Sequence, residues 1–186
     1  MAAAATAESM AAGQREISVS EFFAKNRHLL GFDNPRKALL NAVKEAVDNS
    51  LDACEEAHIL PDLLINLSPV TDSKDRAGHD TQRLGSRFVL TVRDNGPGIV
   101  KQQIPNIFAR LLYGSKFHSL KMSRGQQGIG ISAAGMYGLL TTGEPVQIIS
   151  RTNPEKNAHH YHVQIDTAKN RPEIVLDEEC AFDLPT

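Results

Sequence analysis

The stretch that most constrains this chain runs over residues 36–57. Ala38, Leu39, Ala42, Val43, Ala46, Val47, Leu51, Ala53 and Cys54 recur there at helical spacing across a broad face, which is the pattern of a core helix. Asn34 followed by Pro35 gives an N-cap and a first helical residue, and Pro61 marks the end region. Glu45, Asn49 and Asp52 fall at steps of four and three, so they project from one side of this mainly apolar element. They serve either a ligand or, with Asn41 and Asp48, a solvated stripe.

Other elements are arranged around that helix. Residues 1–15 read as a disordered, alanine-rich tail without the basic and apolar regions of a secretory signal. Residues 16–35 read as an amino-terminal strap containing a short helix, with Ser20 as N-cap and Gly31 as its stop. LLINLSPV and RFVLTVRD read as a strand pair flanking an exposed loop over residues 71–86. An amphipathic helix follows over 101–113, then a polar, basic loop over 114–123. The helix ISAAGMYGLL and the strands PVQIISRT and HYHVQID complete the order. Mixed helices and strands joined by short turns predict an α+β sandwich, one sheet backed by helices.

With 186 residues, residues 36–186 form one domain. A net charge of −2 excludes a strongly basic chain held on nucleic acid along its whole length. Cys54 and Cys180 lie far apart without a CxxC pair, as buried thiols of a reducing cytosol would. No apolar run approaches the roughly 20 residues of a membrane span.

Two further segments carry chemistry. Asp94-Asn95-Gly96-Pro97-Gly98 comes directly after a strand, where an ionised Asp could accept a hydrogen bond from an exocyclic amino group such as adenine's. The plain alternative is a glycine-proline turn with an Asp cap. Arg124-Gly125-Gln126-Gln127-Gly128-Ile129-Gly130-Ile131-Ser132 ends at a helix start. Its glycines let backbone N–H groups approach phosphates, whose charge the positive helix end favours. It lacks the GK[ST] ending of a P-loop and does not follow a strand as a Rossmann fingerprint does. His159, His160 and His162 raise a metal site, and His160 and His162 would share a strand face. Without an accompanying Cys or acidic ligand set, exposed strand residues are the expectation.

The order helical Glu/Asn, then Asp-x-Gly-x-Gly, then glycine loop resembles the GHKL ATPases, a group that includes gyrase, the heat-shock chaperone ATPases and histidine kinases. Within it, EFFAKNRHLLGFDNP, KEAVDNSLDA, DNGPGI, LLYGSKFHSLKMSRGQQGIGISAA and TTGEPV are similar to the topoisomerase VI B-subunit family. The resemblance implies a GHKL ATP-binding sandwich with a mixed, mostly antiparallel sheet, using ATP and Mg²⁺ as cofactors. It implies Glu45 as general base, Asn49 as magnesium ligand and Asp94 as adenine reader beside Gly98. Ser115 and Lys116 match a lid over the nucleotide, made locally basic by Lys116, Lys121 and Arg124. Gly125, Gln126, Gln127, Gly128, Ile129, Gly130, Ile131 and Ser132 match a triphosphate-wrapping loop.

The same resemblance implies a cytoplasmic, nucleoid-associated topoisomerase with an A-subunit partner that cleaves DNA. A second B subunit would be joined on ATP binding, with the strap ordering only in that dimer. A further strand bearing a Gly-Thr pair and a transducer domain would follow Thr186, leaving the domain incomplete at its carboxyl end. A nucleotide-dependent dimerisation switch without turnover is the alternative.

Overall fold

A computed structural model describes residues 18–70, 87–111, 113 and 129–181. Helix α1 spans Val19–Asn26 and is capped by Ser18, whose hydroxyl accepts from Glu21 N at 3.2 Å. The cap therefore lies two residues before the expected Ser20, at the Ser-x-x-Glu spacing of a capping box. The helix ends at Asn26, and the chain reverses through Gly31 at φ +76°, where Phe32 N returns to Arg27 O at 2.7 Å. From the long helix, Asn41 Nδ2 donates to Gly31 O at 2.8 Å and ties this turn down.

Helix α2, Pro35–Glu56, starts as its sequence signals require: Asn34 Oδ1 accepts from Arg36 N at 2.9 Å and Lys37 N at 3.5 Å. Strands β1, Leu63–Pro69, and β2, Phe88–Asp94, pair antiparallel with Leu63 opposite Asp94 and Pro69 opposite Phe88. The expected loop between them and the basic loop after residue 113 fall outside the described residues. The helix expected over 101–113 is shorter, a 3-10 turn Lys101–Gln103 leading into α3, Ile104–Ala109. Arg110, extended at φ −142° and ψ 121°, ends it. Helix α4, Gly130–Thr142, stops at Gly143 in the left-handed conformation.

β3, Val146–Ser150, and β4, Ala158–Asp166, are followed by an unforeseen strand, β5, Arg171–Cys180. Its charged sequence hides it from a period-two search. A tight turn makes it: Asp166 Oδ1 accepts from Ala168 N and Lys169 N, and Asn170 takes φ +48°. All pairings among the described strands are antiparallel, and they form two hydrogen-bonded groups, β1-β2 and β3-β4-β5, where a single mixed sheet was expected. Ser150 Oγ bridges the groups at one end, accepting from Ile99 N at 2.7 Å and donating to Ile99 O at 3.2 Å.

The core joins Phe23, Phe32, Ala38, Ile104, Met136, Ile148, Tyr161 and Val163. Phe32 lies 5.9 Å from Phe23 and 5.4 Å from Tyr137 between ring centroids. Phe23 and Phe32 of the strap are thus part of this chain's own core. Of the two cysteines Cys54 is buried and Cys180 only half-buried; both are free thiols. No described helix is long and apolar enough to cross a membrane.

Candidate functional site

One cleft of about 3020 Å³ collects seven of the eight described residues to which the resemblance gives a site role. Glu45 and Asn49 of α2, Asp94 at the end of β2, Gly98 after it, and Ile129, Gly130 and Ile131 at the start of α4 all line it. Three segments with members up to 86 positions apart, Glu45 to Ile131, therefore converge. The space exceeds the roughly 300–1,000 Å³ of ordinary small-molecule sites because it continues along β2 and β3.

At its acidic end, Asp94 Oδ2 accepts from Ser50 Oγ at 2.8 Å and Asp94 Oδ1 accepts from Gly96 N at 3.0 Å. Ser50 is buried, while Asp94 remains open to the cleft. Each carboxylate oxygen has more than one lone pair, so the bonds that orient Asp94 leave it able to accept from a ligand. Asn95 braces the same corner: Nδ2 donates to Leu60 O at 3.0 Å and Oδ1 accepts from Asp62 N at 2.9 Å. Beneath them lies Cys54, its Sγ 3.7 Å from Asn95 Oδ1, and burial together with the Asp94 charge pushes its thiol pKa up. Gly98 has φ +73°, and a Cβ there would overlap the carbonyl of Arg151. Only glycine fits both demands.

At the opposite end, the Glu45 carboxylate rests against Gly130, where a Cβ would overlap Oε2. Lys44 Nζ is 2.8 Å from Asp48 Oδ2 and 3.7 Å from Glu45 Oε1. The hydrogen bond to Asp48 leads the causes that hold the Lys44 pKa above its ordinary value, so the ammonium stays charged beside Glu45. No side chain caps α4, leaving the amides of its first turn, with the positive end of the helix dipole, on the cleft wall.

Not every expected residue faces the cleft. Ser132 is buried, and its hydroxyl donates to Ile129 O at 3.0 Å, a bond that stiffens the helix start. Asp52 is also buried, so the acidic side of α2 is not a uniformly solvated stripe. Ser115, Lys116, Gly125, Gln126, Gln127 and Gly128 lie outside the described residues. Sequence reading missed Ser50, Asn95 and Ser150. Short polar side chains beside motif residues were the available signal, but their partners are distant in sequence.

A family model for histidine kinase-, DNA gyrase B- and HSP90-like ATPases matches residues 34–169. The chain belongs to this family. Membership of the histidine kinase-, gyrase B- and HSP90-like ATPases implies nucleotide binding. It is similar to the B subunit of type 2 DNA topoisomerase 6 from Methanococcoides burtonii, 55% identical over 183 residues, covering 98% of this chain and 27% of the relative. The corresponding Archaeoglobus fulgidus protein is 52% identical over 177 residues, covering 95% of this chain and 27% of the relative. That of Halobacterium salinarum is 54% identical over 173 residues, 93% of this chain and 20% of that protein. The chain thus spans 27% or less of the length of these relatives. This family membership accounts for the α+β architecture.

Proposed function

We propose that the chain is the ATP-binding region of a type II DNA topoisomerase B subunit, coupling ATP binding and hydrolysis to dimer closure and strand passage. The observation that carries this reading is the meeting of Glu45, Asn49, Asp94, Gly98 and the α4 start on one cleft, in a chain so similar to those proteins. Asp94 accepts the adenine amino hydrogen, its orientation set by Ser50 and Gly96. Across the cleft, Glu45 takes a proton from the water that attacks the terminal phosphate. First-turn amides of α4 bind the phosphates, and the resemblance gives Gly125, Gln126, Gln127 and Gly128 the same role and Ser115 and Lys116 that of a lid.

Asn49 fits a Mg²⁺ role. It offers a neutral oxygen donor on the cleft wall one helical turn from Glu45, and Mg²⁺ takes few protein ligands beside waters and phosphate oxygens. When bound, the ion would neutralise charge on the phosphates. The facing walls β2 and β3 each have an edge without a strand partner among the described residues. They are suited to receive the further strand that the resemblance implies. A second B subunit, the DNA-cleaving A subunit and DNA itself are the partners of the complete enzyme, which would act at the nucleoid in the cytoplasm.

Calorimetric titration of the chain with ATP, with and without Mg²⁺, tests the reading. Mg²⁺-dependent binding that Asn49→Ala weakens is expected. In the complete enzyme, Glu45→Ala should bind ATP yet hydrolyse it at least about a hundredfold more slowly. Absence of ATP binding by the folded chain would sink the assignment, and unchanged hydrolysis by Glu45→Ala would remove that residue as base.

A further inference from the structure

The face of the β3-β4-β5 sheet away from Tyr161 and Val163 carries polar groups unused by the nucleotide site. His160 and His162 alternate onto this face of the central strand, as residues two apart in a strand must. Their Nε2 atoms lie 3.1 Å apart, with ring centroids at 4.7 Å and planes at 76°. Opposite His160 in register stands Glu178 of β5, its Oε1 3.3 Å from His160 Nδ1. That strand was invisible in the sequence reading, which found no acidic residue to accompany the histidines.

We propose that His160 and His162 chelate a divalent transition-metal ion of the Zn²⁺ or Cu²⁺ class, with Glu178 orienting His160. One ion can replace the proton shared between the two nitrogens. Placed about 2.1 Å from each Nε2, it would subtend about 95° across the observed 3.1 Å separation, between the octahedral and tetrahedral values. The existing spacing therefore suits a shared ion. Imidazole nitrogens select this metal class over Mg²⁺ and Ca²⁺. By accepting from Nδ1–H, Glu178 fixes the tautomer that presents Nε2 as a ligand, the usual carboxylate-histidine-metal relay. Among the described residues no group of three or more His, Cys, Asp and Glu side chains is placed to hold a metal, so water completes the coordination and the affinity falls below that of a structural four-ligand site.

The test uses the 186-residue chain stripped with EDTA. Titration with ZnCl₂ should show one saturable equivalent, and the electron paramagnetic resonance spectrum of one added Cu²⁺ should show two equatorial nitrogens. His160→Ala and His162→Ala should each weaken Zn²⁺ binding by at least about tenfold, and Glu178→Gln by about tenfold. Asp94→Asn should leave it unchanged. Lack of Zn²⁺ uptake, uptake surviving both histidine substitutions, or a Cu²⁺ spectrum without two nitrogen ligands would overturn the proposal. The Cu²⁺ spectrum of the unsubstituted chain keeps the test decisive should a variant fail to fold.

Discussion

Ser50 donates a 2.8 Å hydrogen bond to Asp94 Oδ2, so the long helix sets the direction in which the β2 carboxylate faces the cleft. Asp94→Asn can present an amide donor where adenine's amino group requires an acceptor. Losing that charge-assisted bond should cost about 1.5–3 kcal/mol of ATP binding, and discrimination against GTP should blur. Calorimetric titrations with both nucleotides measure the effect, and an unchanged affinity and selectivity would defeat the adenine assignment.

Gly130→Ala places a methyl carbon where Glu45 Oε2 now rests. The carboxylate must move, so hydrolysis in the complete enzyme should fall by about a hundredfold, the scale on which misplaced catalytic groups act. ATP affinity should change far less. Comparing kcat with a directly measured Kd separates the two, and equal losses in both would show that Gly130 matters for binding rather than for Glu45.

Gly98→Ala should destabilise the fold by about 2–5 kcal/mol, combining a left-handed backbone with overlap against the Arg151 carbonyl. Thermal unfolding measures it. A Tm within a degree or two of the parent would mean that the loop after β2 does not hold this conformation.

Burial pushes the Tyr161 phenol from 10.0 up to about 12, assisted by a hydrogen bond to Asp177 and its negative charge. Because the folded value is the higher one, the associated stability is fully present below pH 10 and is lost as pH rises toward 12. Urea unfolding of Tyr161→Phe should therefore show a shallower decline over that window than the parent. At neutral pH the variant should lose about 1 kcal/mol with the hydrogen bond. Parallel alkaline declines would exclude Tyr161 as their source.

Local signals recovered much of this fold. Asn34 and Pro35 open α2 where the sequence places them, and LLINLSPV pairs with RFVLTVRD as the expected strand pair. Strand β5 escaped because its solvent-facing positions dominate its composition, and the turn before it depends on Asn170 adopting positive φ. Glu45, Asn49 and Asp94 could be singled out in the sequence and line one cleft; the bonds from Ser50 to Asp94 and from Ser150 to Ile99 could not be read there. Those join positions 44 and 51 apart, and only the folded chain brings them within reach. Ser18 was overlooked as a cap in favour of Ser20 because both serines precede the same apolar run.

Helix α2 acts as a ruler. Glu45 meets α4 and Ser50 holds Asp94, the two standing five positions apart on one rigid rod. At 3.6 residues per turn, a single residue inserted between the two would swing Glu45 about 100° around the axis and push it about 1.5 Å along. Substitutions within the rod weaken individual contacts by degrees, whereas a change in its length puts the two ends out of phase at once. Length variation in related chains should therefore be confined to segments before Asn34 or after Ala57, where the rod has already ended.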